Sequence, residues 1–187
     1  MYQRVLTDVR LFELLWRIDQ DLAREARERG CGRCGGRLDR ADYPRKPRGL
    51  PQELGNDHVR PCQCCAAEGC RRRITPPSAR FLGRRVYVGA AIVGITALQP
   101  GARRSEVRAL QEWVGASRRT LARWRRWWRA TFAKSGFWRG ARGRLRTPVP
   151  ARELPGGLLR RFAGNHQTRL IAALRFLSPI TAVDRAM

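Results

Sequence analysis

Residues 31–80 hold all six cysteines of the chain but too few apolar side chains to close a core of their own. A segment this rich in Gly, Pro and Arg needs another cross-link to hold one shape. Cys31-Gly-Arg-Cys34 is a tight pair, and Cys65-Ala-Ala-Glu-Gly-Cys70 is a second, wider one. Two such pairs flanking a hairpin place four thiolates around a tetrahedral Zn²⁺. Gly32, Gly35 and Gly36 suit a knuckle whose amides turn toward sulfur. The expected cofactor is one structural Zn²⁺ on Cys31, Cys34, Cys65 and Cys70, a closed site with no position left for catalysis. The second pair leaves alternatives open, because Cys62, Cys64 or His58 stands near enough in sequence to replace a ligand. Cys65 is preferred because it gives the more compact knuckle.

The charge balance then limits the partner. Of 187 residues, 39 are basic and 15 acidic, a net charge of +24. That favours a polyanion. Only Lys46 and Lys134 are lysines, a skew that also reflects a GC-rich coding sequence. Coding bias does not remove acids, however, and no Asp or Glu occurs between Glu112 and Glu153, an interval with twelve Arg or Lys. The N-terminus lacks signal-peptide order. The most apolar run, residues 86–98, is shorter than the roughly 20 residues that span a bilayer. The expectation is a cytoplasmic, nucleoid-associated protein with no membrane partner, in a compartment where close cysteines bind metal.

Along the chain, the reading is mainly α with a small zinc-ribbon β module and a tri-helical helix-turn-helix. Residues 1–30 form an N-terminal helix over about 8–28, capped by Thr7 and ended by Gly30, with Val9, Phe12, Leu15, Ile18 and Leu22 on one stripe. Beyond Leu22 the charged run is expected to project into solvent. Residues 31–80 are the ribbon, with a solvated basic loop at 44–49. Residues 81–133 hold three helices, at about 84–98, 104–114 and 117–129. The second carries Val107, Leu110 and Val114, and Gly115-Ala-Ser117 is a turn of helix-turn-helix length. Residues 134–152 read as a basic linker or arm. Residues 153–187 hold two short helices, around 153–163 and 166–177, whose apolar faces suit packing or a homodimer.

The third helix is the one to test for nucleic-acid contact. Leu121, Trp124, Trp128 and Phe132 fall on one stripe, and Arg119, Arg123 and Arg126 on the opposite side. Ser117 and Arg118 stand at its start, and Arg125, Arg129, Arg142, Arg144 and Arg146 extend the basic character. An apolar side that docks and an arginine side that faces out is the arrangement of a recognition helix.

The order Cys31-Gly-Arg-Cys34-Gly-Gly-Arg, then Cys65-x4-Cys70-Arg-Arg-Arg-Ile-Thr-Pro-Pro-Ser-Ala-Arg-Phe-Leu-Gly, then an apolar helix, resembles the N-terminal region of bacterial insertion-sequence transposases. The resemblance spans roughly residues 31–130 and implies a zinc ribbon followed by a DNA-binding helix-turn-helix. The nuclease domain of that family, with three acidic metal ligands, has no counterpart here. The acids after residue 70 are Glu106, Glu112, Glu153 and Asp184. The expectation is therefore a non-enzymatic protein that binds double-stranded DNA, as a transposase-like accessory factor, a regulator or a transposase remnant. The competing expectation is an RNA-binding or ribosome-associated zinc-ribbon protein, in which Trp127 and Trp138 stack on bases.

Overall fold

A computed structural model describes residues 2–55, 57–83, 85–98 and 104–185. Its centre is helix α3, Gly89–Ala97, in which every residue from Gly89 to Thr96 is buried. A helix apolar on all sides has to be surrounded. Around it pack α1 (Tyr2–Leu6), α4 (Arg104–Val114), α5 (Arg118–Arg126), α7 (Gly156–Leu159) and α8 (His166–Leu177). Small residues let them approach closely. A Cβ on Gly94 would lie 2.8 Å from a methyl of Leu6, and one on Gly89 3.1 Å from a methyl of Leu174. The helix starts later than the expected residue 84. Residues 86–88 are extended instead, with Val88 bridged to Phe81 and Tyr87 to Arg48.

The N-terminal helix α2 runs Val9–Arg29. Asp8, not Thr7, caps it, its carboxylate accepting from the Arg10 amide at 3.0 Å. Gly30 closes it at φ 72°. The charged C-terminal half does not project into solvent as expected. Ala23 and Ala26 are buried, and the Ala23 carbonyl accepts from the Gln63 side-chain amide at 2.6 Å. Ala23 and Ala26, three residues apart and so on one helix face, give a narrow apolar stripe that fits against a sheet.

That sheet is the ribbon. Strands β1 (Leu38–Arg40), β4 (Gln63–Cys65) and β5 (Arg73–Thr75) are antiparallel, and β2 (Tyr43–Arg45) pairs with β3 (His58–Arg60). A further strand, β6 (Val183–Arg185), returns from the far end of the chain and pairs with β5. The ribbon and the C-terminal segment, read as separate units from sequence, therefore share one sheet.

The loop at 44–49 is docked rather than solvated. The Arg48 amide donates to the Val86 carbonyl at 2.9 Å, and the Val88 amide returns to Arg48 at 3.0 Å. Gly49 sits at φ 79°, where a Cβ would meet that of Ala91 at 2.8 Å. Only glycine fits both the backbone and the space. Gly49→Ala is expected to cost about 1–3 kcal/mol, read as a lowered Tm, through strain and overpacking. An unchanged Tm would mean that the loop does not hold the ribbon to the helices.

The presumed linker is also structured. Residues Gly136–Ala141 form helix α6, capped by Ser135, with Trp138 buried among the core aromatics. Of the expected helix at 153–163 only Gly156–Leu159 is α-helical, whereas α8 follows Asn165 as cap and spans His166–Leu177. No helix among the described residues is long and apolar enough to cross a membrane.

Candidate metal centre and basic helix

The ribbon folds its two cysteine pairs onto one point. The sulfurs of Cys31, Cys34, Cys65 and Cys70 all lie within 4.8 Å of one another, with Cys31 to Cys70 at 3.7 Å and Cys34 to Cys65 at 3.5 Å. Four sulfurs held about 2.3 Å from a tetrahedral ion stand about 3.8 Å apart. The spacing is far beyond the roughly 2.05 Å of a disulfide, and all six cysteines are free. The cluster can hold a metal ion.

Local backbone explains how the sulfurs converge. The first knuckle is closed by Gly35 N–H to Cys31 O at 2.8 Å and Cys31 N–H to Gly36 O at 2.9 Å. A Cβ on Gly36 would press on the sulfurs of Cys65 and Cys34 at 3.2 and 3.3 Å. In the second knuckle Cys70 and Arg71 both donate to the Ala67 carbonyl. Arg71 carries the turn at φ 42°, a conformation non-glycine residues rarely take.

Cys31, Cys65 and Cys70 are shifted in different directions. The backbone amides of Arg33 and Cys34 are the main cause that lowers Cys31 to about 6. For Cys65 the Ala67 amide pulls downward, but desolvation and the other three sulfurs outweigh it and push the thiol up to about 12. Cys70 is raised too, against the Arg72 amide, by desolvation and by Cys34 and Cys31. The Cys31 thiolate forms readily while Cys65 and Cys70 resist, so a cation at the centre is what would let those two ionise.

The alternative ligands point elsewhere. The Cys62 sulfur is buried and accepts from the Thr75 hydroxyl at 3.8 Å. Cys64 turns to the Arg71 carbonyl at 3.5 Å, and His58 pairs with the Gly55 carbonyl at 3.1 Å. Burial lowers the His58 pKa.

The basic helix is built as its pattern suggests on the buried side. Ser117 caps α5, accepting from the Thr120 amide at 3.2 Å. Gly115, at φ 66°, ends α4 with the backbone hydrogen bonds Gly115 N–H to Glu112 and Ala116 N–H to Gln111, both 3.1 Å. After Arg126 the helix widens into a π-turn over Trp127–Phe132. Leu121, Trp124, Trp128 and Phe132 are all buried. The Trp128 indole donates to the Thr96 hydroxyl of α3 at 3.0 Å. Tyr87 packs edge-on to Trp124, and its hydroxyl donates to the Gly115 carbonyl at 3.0 Å. One residue thus joins the strand that docks the ribbon loop to the turn before α5.

Ser117, Arg118, Arg119, Arg123, Arg126 and Arg129 are exposed, as are Arg142, Arg144 and Arg146 farther on. Arg125 is half-buried, and desolvation lowers its pKa. Among the described residues no carboxylate pairs with any of these arginines, while Glu112 and Glu153 are engaged by Arg108 and Arg160. The tryptophans expected to stack on bases are covered. Trp138 is buried, and the Arg85 guanidinium lies 3.8 Å from the centre of the Trp127 ring.

Sequence reading missed one buried network. Asp19 of α2, fully buried, accepts from the Ser78 hydroxyl at 2.6 Å, the Ala79 amide at 2.7 Å and Arg80 Nε at 3.1 Å. Arg80 is itself sandwiched between Trp16 and Phe81. An acid on the apolar stripe, at Asp19 beside Ile18, was the available signal.

Compared with protein-family models, curated proteins and solved structures, the chain matches none. The likeness to transposase N-terminal regions rests on cysteine spacing and helix order alone.

Proposed function

We propose that this chain binds duplex DNA, with α5 as the reading helix of a helix-turn-helix and a zinc ion holding the ribbon. The observation that carries the reading is an arginine face with no acidic partner among the described residues, mounted on a helix whose opposite side is locked into the core. Arg119, Arg123 and Arg126 would reach base edges in the major groove, and Ser117 and Arg118 would meet phosphate or base edges at the helix start. Arg129, Arg142, Arg144 and Arg146 would neutralise backbone phosphates. Four thiolates in a tetrahedral cluster suit Zn²⁺, with iron the chemical competitor. The role would be that of a regulator or transposase-like accessory factor. The RNA-stacking alternative loses support because Trp127 and Trp138 are covered.

Selection of bound fragments from random duplex DNA, with zinc and again with chelator, tests the reading. Enrichment of a common sequence that fades on chelation is expected, since Tyr87 and the Arg48 loop tie the ribbon to the turn before α5. Arg123→Ala or Arg126→Ala should relax preference at one base position by about 1–3 kcal/mol. Substituting a phosphate-contacting arginine such as Arg144 should instead reduce the salt dependence by about one ion. Unaltered base preference in both α5 variants would remove α5 from the reading role. Tighter binding of structured RNA than of duplex DNA in direct competition would favour the other polyanion.

A further inference from the structure

A second basic feature lies away from α5, between the ribbon sheet and the C-terminal segment. A cavity of about 350 Å³ is lined by Arg45, Arg60 and Arg73, with Tyr43, Thr75 and Cys62 beside them. These arginines are far apart in sequence and are gathered by strands β2, β3 and β5. No carboxylate occurs among the described lining residues.

Arg60 is the informative member. It is 2% exposed. Its Nη2 donates to the Pro76 carbonyl at 2.6 Å, while its buried Nη1 has no hydrogen-bond partner. Desolvation lowers its pKa; Asp19 and Tyr43 pull the other way, and Arg80 and Arg45 add like-charge pressure. The nearby acid, Asp19, is already committed to Ser78, Ala79 and Arg80. A buried guanidinium with an unpartnered N–H and no carboxylate hydrogen-bonded to it is costly unless an anion completes it. Arg45 has one nitrogen on the Arg85 carbonyl at 2.7 Å, and Arg73 is exposed at the rim. Tyr43 adds a phenol to the wall, whereas the Thr75 hydroxyl is already given to the Cys62 sulfur.

We infer that this cavity is a phosphate-binding site, with Arg60 as its buried anchor and Arg45 and Arg73 as the remaining guanidiniums. Three arginines and no acid among the described lining residues match a compact multivalent oxyanion, which guanidinium forks bind through paired N–H donors. The phosphate can come from a small phosphate compound or from the terminal 5′-phosphate of a nucleic acid. The site is independent of α5, so it stands or falls apart from the DNA-reading assignment.

The test uses the metal-loaded full chain and measures Tm with inorganic phosphate against chloride at matched ionic strength. The match removes general screening of the +24 net charge. Phosphate at about 100 times its Kd should raise Tm by about 5–10 °C. Arg73→Gln, at the exposed rim, should keep the Tm in chloride and lose most of the phosphate increment; Arg45→Gln provides a second variant. Arg60 is left intact because it also holds the Pro76 carbonyl. Equal increments in wild type and both variants, or no gain of phosphate over chloride, overturns the site. Duplexes differing only in a 5′-phosphate or 5′-hydroxyl end then identify the source. A difference abolished by Arg73→Gln assigns the terminal phosphate, and its absence alongside the inorganic-phosphate increment assigns a small compound. Loss of base preference in the α5 variants with this increment intact would show that the two readings fail separately.

Discussion

Cys65→Ser should release the metal and unfold the ribbon while the helical part keeps its secondary structure. The reason is the poverty of the ribbon interior. Its apolar cluster is Cys31, Leu38 and Cys65, with Cys70 and Ile74 packed alongside, so three of its five members are the proposed ligands. Little apolar burial remains once the sulfurs lose their common centre. Structural zinc in small modules contributes an apparent 10–16 kcal/mol or so at neutral pH, most of it folding free energy. Metal analysis should fall from one bound ion to none, and amide exchange should accelerate at residues 38–40 and 63–65. Chelation of the wild type should reproduce the effect. Acid should as well. The ligands bind as thiolates, so affinity is full at high pH and falls as pH drops and protons compete for sulfur. Cys65, pushed up to about 12, keeps its proton at neutral pH until the metal displaces it and the proton leaves to solvent. Full metal occupancy and unchanged exchange protection in Cys65→Ser would refute the four-sulfur centre.

The second large effect is expected at Asp19. Asp19→Ala strands the Arg80 guanidinium, the Ser78 hydroxyl and the Ala79 amide in the interior at once. Breaking a buried charge pair from one side costs about 3–5 kcal/mol. Against a total stability of roughly 5–15 kcal/mol, that is a large fraction. Denaturant unfolding should show the loss as a lowered midpoint with little change in slope. Asp19→Ala combined with Arg80→Met should recover part of it, because no unpaired charge then remains buried. A cost below about 1 kcal/mol, the range of exposed pairs, would place the network in solvent.

What sequence could tell depended on how local each signal was. The cap at Ser117, the stop at Gly115 and the stripe from Leu121 to Phe132 are set by residues within a few turns, and all three appear as read. So does the cysteine cluster, because knuckle spacing constrains sulfur position directly. The start of α3 was misjudged because residues 86–88 look apolar enough for helix but are held extended by Arg48 and Phe81, both distant in sequence. The segment 134–152 was read as a linker because its arginines and glycines dominate its composition. Trp138 outweighs them by burying one large ring. The Arg45, Arg60 and Arg73 cluster left no trace in any window, since only strand register assembles it.

The β5–β6 pairing bears on the order in which the molecule is made. A ribosome releases residues 31–75 about a hundred residues before Val183–Arg185. During that interval β5 waits with an open edge, and the Ser78 amide lacks the Thr181 hydroxyl it meets at 2.8 Å in the finished fold. The nascent ribbon must therefore rely on its metal and on α2, which is already made. Metal scarcity during synthesis should strike harder than metal removal afterwards, leaving an unpaired strand free to join another chain.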